Sequence, residues 1–129
     1  MMRKLTILGS VVLLSACSMT NNVTGTYSGI LPCADCDKID AKLVLNKDYS
    51  YVYETTYFKN KKTHDYIEQG KFSWDKEKSD IIVLDDNAGN LRFKANTNYV
   101  EMCDKDGNVA TTSNLNYKLL RVATKQKIK

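Results

Sequence analysis

Tyr49-Ser50-Tyr51-Val52-Tyr53-Glu54-Thr55-Thr56-Tyr57 is the stretch on which the fold turns. Tyrosine or threonine recurs at every second position, a period that places those side chains together only in an extended strand. Tyr49, Tyr51, Tyr53, Thr55 and Tyr57 are therefore expected on one face, with Ser50, Val52, Glu54 and Thr56 on the other. Tyrosine suits a half-buried pleated surface, because its ring goes inside while its hydroxyl reaches a wet rim. The same face would also suit the lining of a ligand cavity.

On both sides of this stretch the pattern keeps period two and breaks at turn residues every eight to twelve positions, which predicts an all-β domain. The expected strands are Thr26–Leu31, Asp40–Leu45, Tyr49–Phe58, Tyr66–Trp74, Asp80–Leu84, Leu91–Ala95, Asn98–Met102 and Asn116–Val122. Between them lie Asn46-Lys47-Asp48, Lys59-Asn60-Lys61-Lys62, Asp75-Lys76-Glu77-Lys78, Asn87-Ala88-Gly89-Asn90 and Asp104-Lys105-Asp106-Gly107-Asn108, all rich in turn formers. Phe72 and Trp74 share a core face, while Val44, Ile81, Val83, Leu119 and Leu120 supply further apolar surface. Tyr117 and Leu119 on the last strand are expected to pair against Tyr27 on the first, closing a small antiparallel β-barrel of about eight strands and removing its edges. No long amphipathic helix and no internal repeat is visible.

The chain has 129 residues, 43% apolar and 26% charged, with one proline and six glycines, so one folded domain is expected and disorder is not. Its formal charge of +4 comes from the ends. From Gly25 to Val122 there are 14 basic and 15 acidic residues, a balance of −1 with interspersed signs, which argues against nucleic acid as a partner.

Residues 1–16 read as a cleaved signal peptide: Arg3-Lys4, an apolar run from Leu5 to Leu14, then Ser15-Ala16 before Cys17. The apolar run is too short to span a bilayer. Leu14-Ser15-Ala16-Cys17 resembles the bacterial lipobox, which implies lipidation of Cys17 and membrane attachment through that anchor. Each buried methylene contributes roughly 0.8 kcal/mol, so two or more acyl chains hold stably. Ser18 follows where an Asp would signal inner-membrane retention in enterobacterial lipoproteins, and that resemblance implies the outer membrane. Residues 17–24 are then a lipidated tether, 25–122 the barrel domain and 123–129 a basic tail.

Pro32-Cys33-Ala34-Asp35-Cys36-Asp37 is the most informative stretch after the leader. Two residues between cysteines put both sulfurs on one side of a tight turn, where they form a disulfide or clasp one soft metal ion. In an oxidising compartment the default is a disulfide, worth roughly 2 kcal/mol for so small a loop. A thioredoxin-like centre would need a βαβ setting, which the flanking strands do not provide, and zinc lacks a fourth suitably spaced ligand. Copper(I) accepts two or three soft ligands, so reduced Cys33 and Cys36, with a methionine or Cys103 as accessory, remain an alternative. Asp35, Asp37 and Asp40 oppose thiolate formation there. Cys103 is expected as a buried free thiol, and His64 as a solvated residue of a hairpin loop. No nucleophile and base pair is legible, so an enzyme is not expected.

Gly25-Thr-Tyr27-Ser-Gly29-Ile-Leu-Pro32-Cys33-Ala-Asp35-Cys36, with Leu43-Val-Leu45, Gly70-Lys-Phe72-Ser-Trp74, Asp104-Lys-Asp-Gly107 and Leu115-Asn-Tyr117-Lys-Leu119, resembles the N-terminal domain of the NlpE family of copper-resistance and envelope-stress lipoproteins. The resemblance implies a lipocalin-like barrel on an outer-membrane lipid anchor, facing the periplasm, with Cys33 and Cys36 as its copper or redox-sensing feature. Longer members carry a second, OB-like domain after the barrel, so a signalling role that needs it is not expected here. Two further readings stand beside this one: a carrier of a small apolar ligand, and an adaptor that docks an envelope protein with the cysteine pair as a structural disulfide.

Overall fold

The computed structural model describes residues 22–111 and 115–123. The leader, Cys17, most of the tether and the tail from Thr124 lie outside the described residues. Eight strands form one closed antiparallel barrel in sequence order: β1 (Gly25–Leu31), β2 (Lys38–Leu45), β3 (Ser50–Lys59), β4 (Lys62–Trp74), β5 (Ile81–Leu84), β6 (Arg92–Ala95), β7 (Tyr99–Cys103) and β8 (Lys118–Arg121). A short 3-10 turn, Asp86–Ala88, separates β5 from β6. The expected fold class and strand number are both found.

Inward positions follow the period-two pattern. Tyr27, Leu31, Ala41, Leu43, Leu45, Tyr51, Tyr53, Phe72, Ile82, Leu84, Phe93, Val100 and Leu119 form one buried cluster, with Trp74 packed at its margin. Thr55 joins the same face as its buried polar member. Tyr49 does not belong to the strand. It takes a left-handed conformation (φ 69°), and its amide donates to the Asn46 carbonyl at 3.0 Å to close the β2–β3 turn. Its ring is left exposed, edge-on to Phe72 at 5.3 Å. Leu120 also differs from expectation: it neighbours the buried Leu119, and alternation sends it to solvent, 57% exposed.

The β3–β4 hairpin is longer than its turn residues suggested. Lys59 pairs with Lys62, so only Asn60 and Lys61 make the loop, with φ of 54° and 66°. Positive φ at both central residues is the signature of the two-residue turn whose twist matches the strands. His64 therefore sits on β4, opposite Tyr57, and not in a loop, though it is exposed as expected.

Closure depends on a narrow seam. β1 meets β8 through two residue pairs, Tyr27 with Arg121 and Ser28 with Leu120. The strands close as the sequence predicts, but the partner of Tyr27 is Arg121: Tyr117 precedes β8, which begins at Lys118, and the register that sets Ser28 against Leu120 carries Leu119 past Tyr27. Gly29 makes the approach possible: a Cβ there would stand 2.7 Å from the Lys118 carbonyl oxygen. Arg121 reinforces the seam, donating to the carbonyls of Thr24 (2.9 Å), Thr97 (3.2 Å) and Asn22 (3.2 Å) with its guanidinium 5.0 Å from the Tyr27 ring. Tyr27 itself is fully buried and donates its hydroxyl proton to the Val23 carbonyl at 2.8 Å.

The Lys61 conformation carries a direct expectation. A left-handed non-glycine residue costs about 1 kcal/mol that glycine does not incur, so Lys61→Gly should raise the thermal midpoint by about 4–8 °C for a domain of this size. Scanning calorimetry of both proteins checks it; an unchanged or lower midpoint contradicts the turn assignment.

Candidate functional site

In a meander the connections alternate between the two ends of the barrel, so the β1–β2, β3–β4, β5–β6 and β7–β8 connections share one end. The cysteine turn is the β1–β2 connection. Cys33 and Cys36 are joined in a disulfide, with Cα atoms 5.4 Å apart. Both are half-buried, while Ala34 and Asp35 between them are exposed. The turn is moored by the Asp37 amide, which donates to the Phe58 carbonyl at 2.7 Å. An Asp35 carboxylate oxygen lies 3.9 Å from the sulfur of Cys33, and the Lys38 carbonyl oxygen 3.5 Å from that of Cys36. In the disulfide form neither sulfur is a thiolate, so the closed turn does not fit a cuprous ion; the opened turn presents two soft donors.

Cys103 ends β7 opposite Arg92 and is free, but half-buried where a buried thiol was expected. Burial and then the Asp104 charge push its thiol pKa up, against a smaller opposing effect of Arg92. It lines a separate hollow with Asn108, Val109 and Tyr117, a lining that includes neither Cys33 nor Cys36. Among the described residues no group of three or more His, Cys, Asp or Glu side chains gathers as a metal site.

Beside the cysteine turn the barrel opens into a cavity of about 710 Å³. Leu31 and Pro32, immediately before Cys33, form one wall, and Ile39, Leu91 and Met102 add apolar surface. Tyr53, Tyr57, Tyr66 and Tyr117 contribute their rings, with Thr55 and Glu68 as further polar lining. Register explains the set: Tyr53 stands opposite Glu68, and Thr55 opposite Tyr66, so all four share the inward face of the β3–β4 hairpin. Tyr57 and Tyr66 meet edge-on at 5.4 Å. Burial, aided by Tyr57 and Glu68, raises the Tyr53 pKa, so this hydroxyl stays protonated.

The lip between β5 and β6 is held by Asp85, which sequence reasoning did not single out. Its carboxylate accepts from the Tyr51 hydroxyl (2.6 Å), the Lys71 amide (2.9 Å) and the Asn87 amide (3.2 Å), capping the short turn. Gly70 lies directly under it, where any Cβ would collide with the carboxylate. The signal was an aspartate two residues before an Asn-Ala-Gly turn, an N-cap pattern. Glu68, Met102 and Tyr117 became site residues only through register.

These features define a class: a closed up-and-down barrel with an open, tyrosine-lined mouth and a cystine turn on its rim. The model of the NlpE N-terminal domain matches residues 27–113, and the chain belongs to the NlpE family. It is 28% identical over 95 residues to Lipoprotein NlpE of Escherichia coli K12, covering 73% of this chain but 39% of that protein. A crystal structure of a Shewanella oneidensis lipoprotein superposes with a TM-score of 0.69 at 30% identity, covering 78% of this chain and 90% of that one. The Cpx pathway activator NlpE from Escherichia coli superposes at 0.59 and 27% identity, covering 82% and 53%. The chain thus spans about two-fifths of the length of its curated relative.

Asp85 makes stability depend on pH. The Tyr51 hydrogen bond, then the Lys71 amide, hold its carboxyl below the ordinary carboxylate value. A depressed folded value means the contribution is fully present above the unfolded value near 4 and is lost as pH falls through the folded one. Asp48, Asp75 and Asp104 shift the same way, so the wild-type slope is shared. The urea midpoint should therefore fall between about pH 5 and pH 3, and Asp85→Asn should fall less steeply while starting lower at pH 7. Parallel curves for the two proteins would remove Asp85 from the account.

Proposed function

We propose that this chain is a non-enzymatic lipoprotein of the bacterial envelope, anchored in the outer membrane by acyl groups on Cys17 with its barrel in the periplasm. In this reading the Cys33–Cys36 pair serves copper homeostasis or envelope-stress sensing. The observation that carries it is where the disulfide sits: on an exposed turn at the barrel rim, closing a four-residue loop outside every strand. Such a loop contributes only about 2 kcal/mol in the chain-entropy model, while closure rests on the strand ladders. The pair opens and closes without unfolding the barrel. Opening takes two electrons and two protons from a dithiol reductant and leaves two thiols, and only that form offers sulfur to cuprous ion as cargo.

A second reading, a carrier of a small molecule, is favoured by the 710 Å³ mouth, which lies in the size range of small-molecule sites. Neither reading needs the other to be wrong, since the cystine turn borders the mouth through Pro32.

Two measurements test the leading proposal. Intact-mass analysis of protein from bacterial membranes should give the chain from Cys17 onward with acyl additions; retention of Met1 without them overturns the anchor. Reduced protein titrated anaerobically with cuprous ion should bind about one equivalent by the two-sulfur ligand count, whereas the oxidised protein and a Cys33→Ser, Cys36→Ser variant should bind none at that site. Equal binding by the double variant overturns the metal role.

A further inference from the structure

The mouth has a charge character that its apolar walls conceal. Among the described residues that line it, Glu68 is the only Asp, Glu, Lys, Arg or His side chain. No hydrogen bond or salt bridge to another described residue engages the Glu68 carboxylate, which stands opposite Tyr53 and shares its face of β4 with Tyr66 and Gly70. Tyr53, Tyr57, Tyr66 and Tyr117 line the same mouth, and the face of a tyrosine ring carries the negative end of its quadrupole. A carboxylate among aromatic faces, in a partly desolvated pocket, attracts a weakly hydrated organic cation and repels an anion of the same shape.

We propose that the mouth binds organic monocations with an apolar body, of the quaternary ammonium or phosphonium type, with Glu68 as counter-charge and the four tyrosines as the cage. This rests on the carrier reading and narrows it from apolar molecules in general to cationic ones. Glu68 supplies the preference for charge sign, while the rings and the apolar wall supply the bulk of the contact. The cavity volume of about 710 Å³ leaves room for a cation of several rings.

Tetraphenylphosphonium and tetraphenylborate, ions of nearly the same size and shape and opposite charge, are the probes. Titration calorimetry should show the phosphonium binding the wild-type chain at least about tenfold more tightly than the borate, the ratio expected from about 1.4 kcal/mol of electrostatic preference. Glu68→Gln should abolish that ratio by weakening phosphonium binding and strengthening borate binding, with thermal unfolding confirming an intact barrel. Tyr66→Leu, on the exposed part of the hairpin, should weaken the phosphonium more than the borate. Equal affinity for the two ions, or a ratio that survives Glu68→Gln, overturns the inference and leaves the carrier reading standing. Failure of both ions to bind overturns the inference, and failure of a neutral apolar probe such as 1-anilinonaphthalene to bind as well overturns the carrier reading with it.

Discussion

The guanidinium of Arg121 reaches three carbonyls on two separate segments, those of Asn22, Thr24 and Thr97, at the point where the last strand meets the first through two residue pairs. A sheet that stops short of this seam leaves two unpaired edges and an apolar interior open to water. With the seam made, every strand has two neighbours and the core excludes solvent. The Gly-Thr-Tyr-Ser-Gly opening of β1 is therefore chiefly a closure motif. Tyr27 fills the core beneath Arg121, and Gly29 admits the Lys118 carbonyl at a distance no side chain permits.

Closure also determines where chemistry can occur. Because connections alternate, the cystine turn, the β3–β4 hairpin and the Asp85-capped lip all fall at one end, and the mouth lies among them. Asp85 couples the lip to the barrel wall through Tyr51 and the Lys71 amide, with Gly70 making room for it. The inward face of the hairpin then changes character along its length, from buried Tyr51 and Tyr53 in the interior to half-exposed Tyr57 and exposed Tyr66 at the rim. Tyrosine serves both ends of that gradient because one side chain is apolar along its ring and polar at its tip. The cysteine pair, half-buried on the rim, is accessible without being part of the core.

Much of this was legible in the residues. Alternation in Tyr51, Tyr53 and Thr55 identified the inward face, and the turn clusters located most strand ends. The errors have local causes. Tyr49 continued the alternation but was needed in a left-handed conformation to close the turn, and Lys59–Lys62 looked like a loop because a two-residue turn with positive φ can be built from Asn-Lys without glycine. Ile81 and Ile82 are consecutive and both buried, which no single-faced pattern anticipates. Gly107 of the β7–β8 connection lies close to the Ile81 side chain, covering it on the side away from the core.

The amino-acid sequence by itself determined the all-β class, the number of strands, the inward tyrosine face and the spacing that brings Cys33 and Cys36 together, because these depend on neighbours a few positions apart. Tertiary structure alone decided that Tyr27 pairs with Arg121, that Asp85 anchors the lip, and that Tyr117 of the β7–β8 connection lines the same mouth as Glu68. Each of these joins residues more than thirty positions apart, and they follow from register and barrel closure, which no local period encodes.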